Sequence, residues 1–228
     1  MSLDGQHVAK ILGTVRQREG LQQAPLYALG ASSGGAFVLM LPHLVPDGVC
    51  AEIMGVPPEL FTLGSGRPYP PTLFVHMPRD RHTKVAVEVD IQALRAAGVR
   101  AEEIQVTPRA VTADFLSSRA PQISSDMAVA IVKVLREGGM LAAHGKLLED
   151  PRQTHSKWQS LLQQQVPGMD RVSLKPDESP VTELLNLAWA SHEIVSDFTA
   201  VVLTWLAAGG KADINRLIQQ EQQRVLGD

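Results

Sequence analysis

A run of small residues, GASSGG at positions 30–35, constrains this chain more than any other feature. The apolar segment before it has the length of a strand, and the segment after it, GAFVLMLPHL, is compatible with a helix. A strand that turns directly into a helix at a serine needs strained backbone angles there and small residues two positions to either side. Gly30 and Gly34 meet this need around Ser32. The pattern G-x-S-x-G therefore predicts a nucleophile elbow that lifts the Ser32 hydroxyl above the end of a sheet.

Two other interpretations of the same run stay open. It can be a glycine-rich turn that only allows close packing, or a loop that binds phosphate at a helix start. The second is disfavoured because the run contains no lysine and no G-x-x-x-x-G-K-[ST] pattern. If the elbow forms, the backbone N–H of Ser33 is expected to donate to the oxyanion of a reacting acyl group.

Helical and extended patterns alternate over the first 108 residues. An i, i+3, i+4, i+7 apolar spacing predicts an amphipathic helix over 4–19, formed by Val8, Ile11, Leu12 and Val15. Further helices are predicted after the small-residue run and over 79–98. Strands are predicted within 24–30, 48–56, 72–77 and 101–108. This alternation predicts an α/β fold with a mainly parallel sheet and helices on its faces.

The second half of the chain is predicted to be helical. Helices are expected over 124–139, 150–165 and 179–210, with an amphipathic tail over 211–228. Asp150 and Pro151 fit the N-cap and first position of the second of these helices. We therefore predict a core over 1–120 that carries the elbow, and a helical part over 121–228 packed on it, as one domain overall.

Composition excludes several classes of function. The chain has 228 residues, 44% of them hydrophobic and 20% charged, as in an ordinary soluble globular domain. A net charge of −3 offers no basic face for nucleic acid or an anionic membrane. No apolar stretch approaches the roughly 18 residues of a membrane span. A single cysteine, Cys50, favours a reducing compartment, and no His/Cys cluster has the spacing of a metal site, so neither metal nor cofactor is expected.

A serine nucleophile needs a base and an acid that orients it. Asp80 follows the predicted strand TLFVHM, where a carboxylate would lie at the sheet edge. It could equally serve as N-cap of the next helix, and the two uses are compatible. No histidine follows the strand that ends near Val106, which is where one is usual in a Ser-acid-His order. His192, beside Glu193 in the predicted final helix, is the candidate base. A packing role for it stays open.

Three segments together carry a resemblance to a known family. They are LYALGASSGGAFV, YPPTLFVHMPRDRHT and ELLNLAWASHEIVS. With them the chain resembles, over its whole length, a family of plant and green-algal α/β-hydrolase-like proteins. The resemblance implies an α/β-hydrolase fold with a helical C-terminal extension. It supports Ser32 as nucleophile, Asp80 as acid and His192 as base.

The chain departs from this family at its front. Proteins of this fold have several strands before the elbow strand, whereas here one helix precedes it, so those strands are expected to be missing. Their loss would expose a sheet edge, which a second copy or another partner is expected to cover. It would also remove one of two oxyanion donors, a change that costs on the order of 10²–10³ in rate.

Two functions are therefore expected. The first is a carboxylesterase-like serine hydrolase that cleaves an ester or related acyl bond in a small molecule. The alternative is an inactive hydrolase-fold protein that acts as a binding or scaffold module. An intracellular location, in cytoplasm or plastid, is favoured because the first residues lack the apolar core of a secretory signal.

Overall fold

The computed structural model describes residues 3–41, 44, 47–52, 55–56, 69–80, 84–175, 178–190 and 198–226. The chain forms two compact units. The first comprises Met1–His76, Arg81–Val106 and Ile194–Asp228, and the second comprises Met77–Asp80 and Thr107–Glu193. The predicted division of the chain at residue 120 stays a prediction. The two compact units divide the chain differently, because the last two helices belong to the unit that contains the sheet.

The first unit is built on a parallel sheet, as the alternating pattern predicts. Its strands are β1 Tyr27–Ala31, β2 Gly48–Glu52, β3 Thr72–His76 and β4 Ala101–Gln105, arranged in the order β1-β2-β3-β4. The helices of this unit are α1 Leu3–Arg18, α2 Ser33–Leu39, α3 Lys84–Ala96, α8 Thr199–Ala207 and α9 Ile214–Leu226. The second unit contains α4 Ala113–Arg119, α5 Ser125–Glu137, α6 His155–Gln165 and α7 Pro180–Trp189. Among the described helices, none is long and apolar enough to cross a membrane.

One face of the sheet, here called the α3 face, carries the apolar core of the first unit. Side chains alternate between the two faces along each strand. Val49, Ala51 and Phe74 point to the α3 face and are fully buried against α2 and α3. Leu39 of α2 and Leu94 of α3 belong to the same core. This packing fixes the position of α2, and with it the turn that joins α2 to β1.

The opposite face, here called the α8 face, is covered by the helix α8. A Cβ atom added to Gly48 would lie 3.4 Å from Leu206 Cδ2. The Tyr27 hydroxyl donates to the backbone oxygen of Ala207 over 3.3 Å. The Arg100 guanidinium donates to the backbone oxygen of Lys211 at 2.9 Å, which ties the link between α8 and α9 to the sheet. The last two helices therefore belong to the sheet that carries the elbow.

The strand before the elbow lies at the edge of the described sheet. β1 pairs with β2 on one side, and within the described residues no strand pairs with its other side. Leu29, at the centre of β1, is 50% exposed. Ile11 and Val15 of the predicted apolar stripe of α1 are 62% and 46% exposed, so that stripe is only partly buried. The expected partner that would cover this edge stays a prediction.

The second unit has its own apolar core. Its largest buried side chain is Trp158 of α6, whose indole N–H donates to the backbone oxygen of Pro151 at 2.9 Å. The ring of His155 packs edge-on against Trp158, and its Nε2 lies 2.9 Å from the backbone oxygen of Leu174. These contacts give His155 a structural role in the second unit.

The prediction of one long helix over 179–210 is wrong. α7 ends at Trp189, and Ala190 has extended backbone angles of φ −154° and ψ 91°. α8 begins only at Thr199. No glycine or proline marks this break in the sequence. It occurs because α7 buries its apolar face in the core of the second unit, whereas α8 buries its own against the sheet of the first.

Two further helices differ from the sequence prediction. α6 begins at His155 rather than near residue 150, because the Asp150 carboxylate accepts from the Arg152 N–H at 3.0 Å and holds 150–154 in a turn. The prediction of Asp150 as an N-cap with Pro151 at the first helical position is therefore wrong. The helix α4 was missed, although Thr112 is its N-cap and accepts from the Phe115 N–H at 3.0 Å.

A fully buried carboxylate, Asp90 of α3, faces the sheet. One of its oxygens accepts from the Val56 N–H at 2.6 Å, and the other has no hydrogen-bond partner among the described residues. Burial raises the pKa of Asp90 to about 6, although the bond from Val56 opposes the shift. Burial, and then the charge of Asp90, also raise the pKa of Tyr69, whose hydroxyl donates to the backbone oxygen of Leu39.

The Asp90 carboxylate is predicted to destabilise the fold at neutral pH. Its pKa is higher in the folded chain than in the unfolded chain, so its stabilising contribution is complete below about pH 4 and is lost as the pH rises through about 6. Asp90→Asn keeps an acceptor for the Val56 N–H and cannot ionise. Urea unfolding should show this variant gaining roughly 2 kcal/mol on wild type between about pH 4 and pH 7.5. Glu88→Gln, an exposed change on the same helix, is the control, and an equal gain there would contradict the prediction.

Candidate active site

Ser32 lies at a sharp turn between the end of β1 and the start of α2. Its backbone angles are φ 52° and ψ −127°, and it is the one described residue other than glycine with a positive φ. Such angles cost a side-chain-bearing residue on the order of 1–3 kcal/mol. The strand, the turn and the helix that the pattern predicts are therefore all present, and the strain lies at the predicted serine.

Backbone hydrogen bonds hold this turn from both sides. The Ser32 N–H donates to the backbone oxygen of Glu52 on β2 at 3.0 Å, which extends the sheet by one residue. The backbone oxygen of Ser32 accepts from the N–H groups of Gly35 and Ala36, at 2.9 and 3.3 Å, which begins the helix. The residue is thus fixed both to the sheet and to α2, and it cannot relax its angles without breaking one of these attachments.

Gly30 is required by this geometry, and Gly34 is not. A Cβ atom on Gly30 would lie 2.1 Å from the backbone oxygen of Gly34, far inside any real contact. A Cβ atom on Gly34 would meet nothing within 4 Å. The expectation that both positions must be free of side chains is therefore correct for Gly30 and wrong for Gly34, because Gly34 is already on the outer side of the first turn of α2.

The Ser32 side chain is half-buried and makes no capping hydrogen bond to α2, although the residue occupies the N-cap position. Ser33 is the first residue of α2 and is exposed. Backbone N–H groups in the first turn of a helix have no partner within the helix. The role of the Ser33 amide as an oxyanion donor stays a prediction.

Asp80, the predicted acid, is buried in the second unit, four residues after the end of β3. Its N–H donates to the backbone oxygen of Met77 at 2.9 Å. The neighbouring Arg79 guanidinium lies 3.9 Å above the ring of Trp189, which anchors the segment at the end of α7. The helix α3 begins at Lys84, and residues 81–83 lie outside the described part of the chain.

His192, the predicted base, lies outside the described residues, so its role stays a prediction. Of the histidines that are described, His7 on α1 and His144 are exposed. His155 is held by the backbone oxygen of Leu174. His76, at the end of β3, is the remaining one, and it has a carboxylate partner.

Buried His76 and half-buried Glu103 form a pair on the α3 face. His76 Nε2 lies 3.2 Å from Glu103 Oε2, and its Nδ1 is buried without a partner among the described residues. Partial burial raises the pKa of Glu103, but hydrogen bonds from Gln105 and His76 outweigh it and hold the pKa below its usual value. β2 separates β3 from β1, so the two backbones are roughly 9.5 Å apart. The contact that the structure shows for His76 is with Glu103 on the neighbouring strand β4.

Glu52 is a residue at this site that sequence reasoning missed. It ends β2, is paired in register with Ala31, and is only 5% exposed. The sequence signal was a single carboxylate inside the apolar run GVCAEIMGV. That run predicts a buried strand, but it does not show which neighbouring strand its last residues join. The pairing places Glu52 beside the elbow.

Two cavities of the first unit lie away from the elbow. One, of about 150 Å³, lies between α1, β1 and α2 and is lined by Val8, Leu12, Tyr27 and Phe37 among others. The other, of about 170 Å³, lies between α8 and α9. Within the described residues there is also no group of three His, Cys, Asp or Glu side chains able to hold a metal ion.

Comparisons of this chain with protein-family models, with curated proteins and with solved structures find no match.

The contrast between the two glycines of the elbow is testable. Gly30→Ala is expected to lower the free energy of unfolding by about 1–3 kcal/mol or more, since the new methyl group overlaps a backbone carbonyl that cannot move alone. Gly34→Ala should be neutral or stabilising by up to about 1 kcal/mol, because alanine favours the helix and the site is open. Urea unfolding of both variants measures the difference. Equal effects of the two substitutions would show that the turn is not as described.

Proposed function

We propose that this chain is a serine hydrolase that cleaves an ester or related acyl bond, with Ser32 as its nucleophile. The observation that carries the proposal is the conformation of Ser32, a strained residue held between a parallel strand and a helix. Strain of this kind persists where the surrounding structure enforces it, and it clusters at active sites. A tight turn that served packing alone would be satisfied by glycine at this position.

The chemistry follows from the groups at the turn. A base takes the proton of the Ser32 hydroxyl as the oxygen attacks the acyl carbon, and a tetrahedral oxyanion forms. The Ser33 amide donates a hydrogen bond to that oxyanion. The base then returns the proton to the leaving alcohol as the carbon–oxygen bond breaks, and water releases the acyl group by the same steps. His192 is the proposed base, and Asp80 is the acid proposed from the sequence.

We also propose that the fold is of the α/β-hydrolase type. The parallel sheet, the elbow between a strand and a helix, and the helical second unit support this interpretation. A match to the fold is not required for the chemistry, since serine nucleophiles with the same constellation occur on unrelated folds.

A non-hydrolytic binding or scaffold role is the second candidate, and one observation favours it. Within the described residues β1 is the edge strand, so no neighbouring strand on its outer side brings a loop with a second oxyanion donor. The loss of one such donor costs on the order of 10²–10³ in rate. A chain with this edge is therefore expected to be a slow hydrolase at best unless another surface supplies the donor.

Labelling with a fluorophosphonate probe tests the proposal. Wild type should be labelled covalently, and Ser32→Ala should not, because the probe reacts only with an activated hydroxyl. Ser33→Ala is the matched control: it removes the adjacent hydroxyl and keeps the backbone amide, so labelling should persist. His192→Gln should slow labelling by about 10²–10⁴, the usual contribution of a general base, whereas the exposed His144→Gln should not.

Circular dichroism on the same samples shows whether each variant is folded. A folded wild type that stays unlabelled would refute the enzyme and favour the binding role. Labelling that persists in Ser32→Ala would place the nucleophile elsewhere.

A further inference from the structure

The cavity between α1, β1 and α2 has the size and the lining of a site for a hydrocarbon group. Its volume is about 150 Å³. Among the described residues that line it, only Tyr27 has a polar side-chain atom, and that hydroxyl donates to the backbone oxygen of Ala207 on α8. An apolar cavity of about this volume stays dry and takes a molecule of about six carbon atoms. The lining therefore selects an alkyl or aryl group rather than a polar ligand.

The walls of this cavity are accessible from solvent. Val8 and Leu12 of α1, and Phe37 and Val38 of α2, line it and are half-buried rather than buried. A ligand can therefore enter without the opening of a closed core. Covering apolar surface that water reaches is favourable, so an apolar ligand gains free energy from these four side chains.

One face of α2 connects the cavity with the elbow. Residues three and four positions apart on a helix share a face, so Gly34 lies on the same side of α2 as Phe37 and Val38. A Cβ atom on Gly34 would meet nothing within 4 Å, which shows open space two residues after Ser32. The turn itself does not need a glycine at this position. An unobstructed path along α2 gives the missing side chain of Gly34 a use.

The length of this path indicates which hydrocarbon fits. Phe37 lies four residues beyond Ser33, about 6 Å along the helix axis. An extended alkyl chain with bonds of about 1.5 Å covers that distance with roughly four or five carbon atoms. The cavity takes about six more. A straight acyl chain of about ten carbons therefore reaches from Ser32 to the end of the cavity, whereas an acetyl group does not enter it.

We propose that this cavity is an alkyl-chain site, which holds the end of a medium-length acyl chain whose ester group lies at Ser32. The inference rests on the proposed serine hydrolase function and names its substrate class: esters of straight-chain acyl groups of about eight to twelve carbons. The chain lies along the open face of α2, past Gly34, and ends between α1 and β1.

Titration calorimetry with straight-chain alcohols tests the cavity without the reaction. Wild type should bind 1-octanol, and each methylene added between 1-butanol and 1-octanol should tighten binding by up to about fourfold. Leu12→Trp fills the cavity from α1 and should weaken octanol binding by about tenfold or more. Ile11→Trp is the matched control, because it adds the same ring at a 62% exposed neighbour outside the cavity, and it should bind as wild type does.

The acyl-chain dependence of ester hydrolysis tests the link to Ser32. For p-nitrophenyl esters, kcat/KM should rise with acyl length to about ten carbons and then fall. Leu12→Trp should move this optimum to shorter chains, because less of the cavity is left. Leu12→Ala enlarges the cavity and should move the optimum to longer chains. Ile11→Trp should leave it in place.

The two measurements separate this inference from the hydrolase. Ester cleavage without a preference for chain length overturns the inference and leaves the serine hydrolase standing, as does a folded wild type that binds no octanol or a Leu12→Trp variant that binds it equally well. Octanol binding that Leu12→Trp removes, in a wild type that cleaves no ester and takes no fluorophosphonate, refutes the hydrolase and supports the alkyl-chain site. If Leu12→Trp does not fold, Leu12→Ala decides: a longer optimum supports the inference, and an unmoved one overturns it.

Discussion

The rest of the site depends on the strained backbone of Ser32 and on the bonds that prevent it from relaxing. The Ser32 N–H donates to the backbone oxygen of Glu52 in the sheet. The backbone oxygen of Ser32 accepts from the N–H groups of Gly35 and Ala36 in α2. The core on the α3 face fixes α2, and Gly30 lets the helix backbone approach the strand. Because other contacts hold both β1 and α2 in place, the packing of the first unit maintains the strain at Ser32. A half-buried hydroxyl at the end of a strand is the result.

Buried carboxylates on the two faces of the sheet have different roles in this account. Asp90, on the α3 face, accepts from the Val56 N–H and has a raised pKa, so its burial works against stability at neutral pH. Glu52, on the α8 face, is the direct neighbour of Ser32 and exerts its charge on the interior. Asp90 lowers the stability of the first unit at neutral pH, whereas the backbone of Glu52 holds the elbow to the sheet.

The elbow and the order of strands could be predicted because their signals are local. The small residues around Ser32 and the apolar runs on either side lie within a few positions of one another. The break between α7 and α8 could not, since no residue marks it and it arises from burial in two separate cores. The place of Glu52 beside Ser32 follows from the pairing of β1 with β2, whose partner residues are 21 positions apart in the chain, and the sequence alone does not reveal that pairing. The open space at Gly34 likewise depends on where the helix turns.

The free energy of unfolding of Ser32→Gly relative to Ser32→Ala tests the strained elbow most directly. Glycine is ordinarily less stable than alanine by about 0.5–1 kcal/mol, and substitutions at the neighbouring Ser33 should follow that order. At Ser32 the order should reverse: relief of about 1–3 kcal/mol of strain should leave the glycine variant the more stable of the two. An alanine variant at Ser32 that is as stable as the glycine variant, or more stable, would contradict the account, because the backbone at this position would then not be strained.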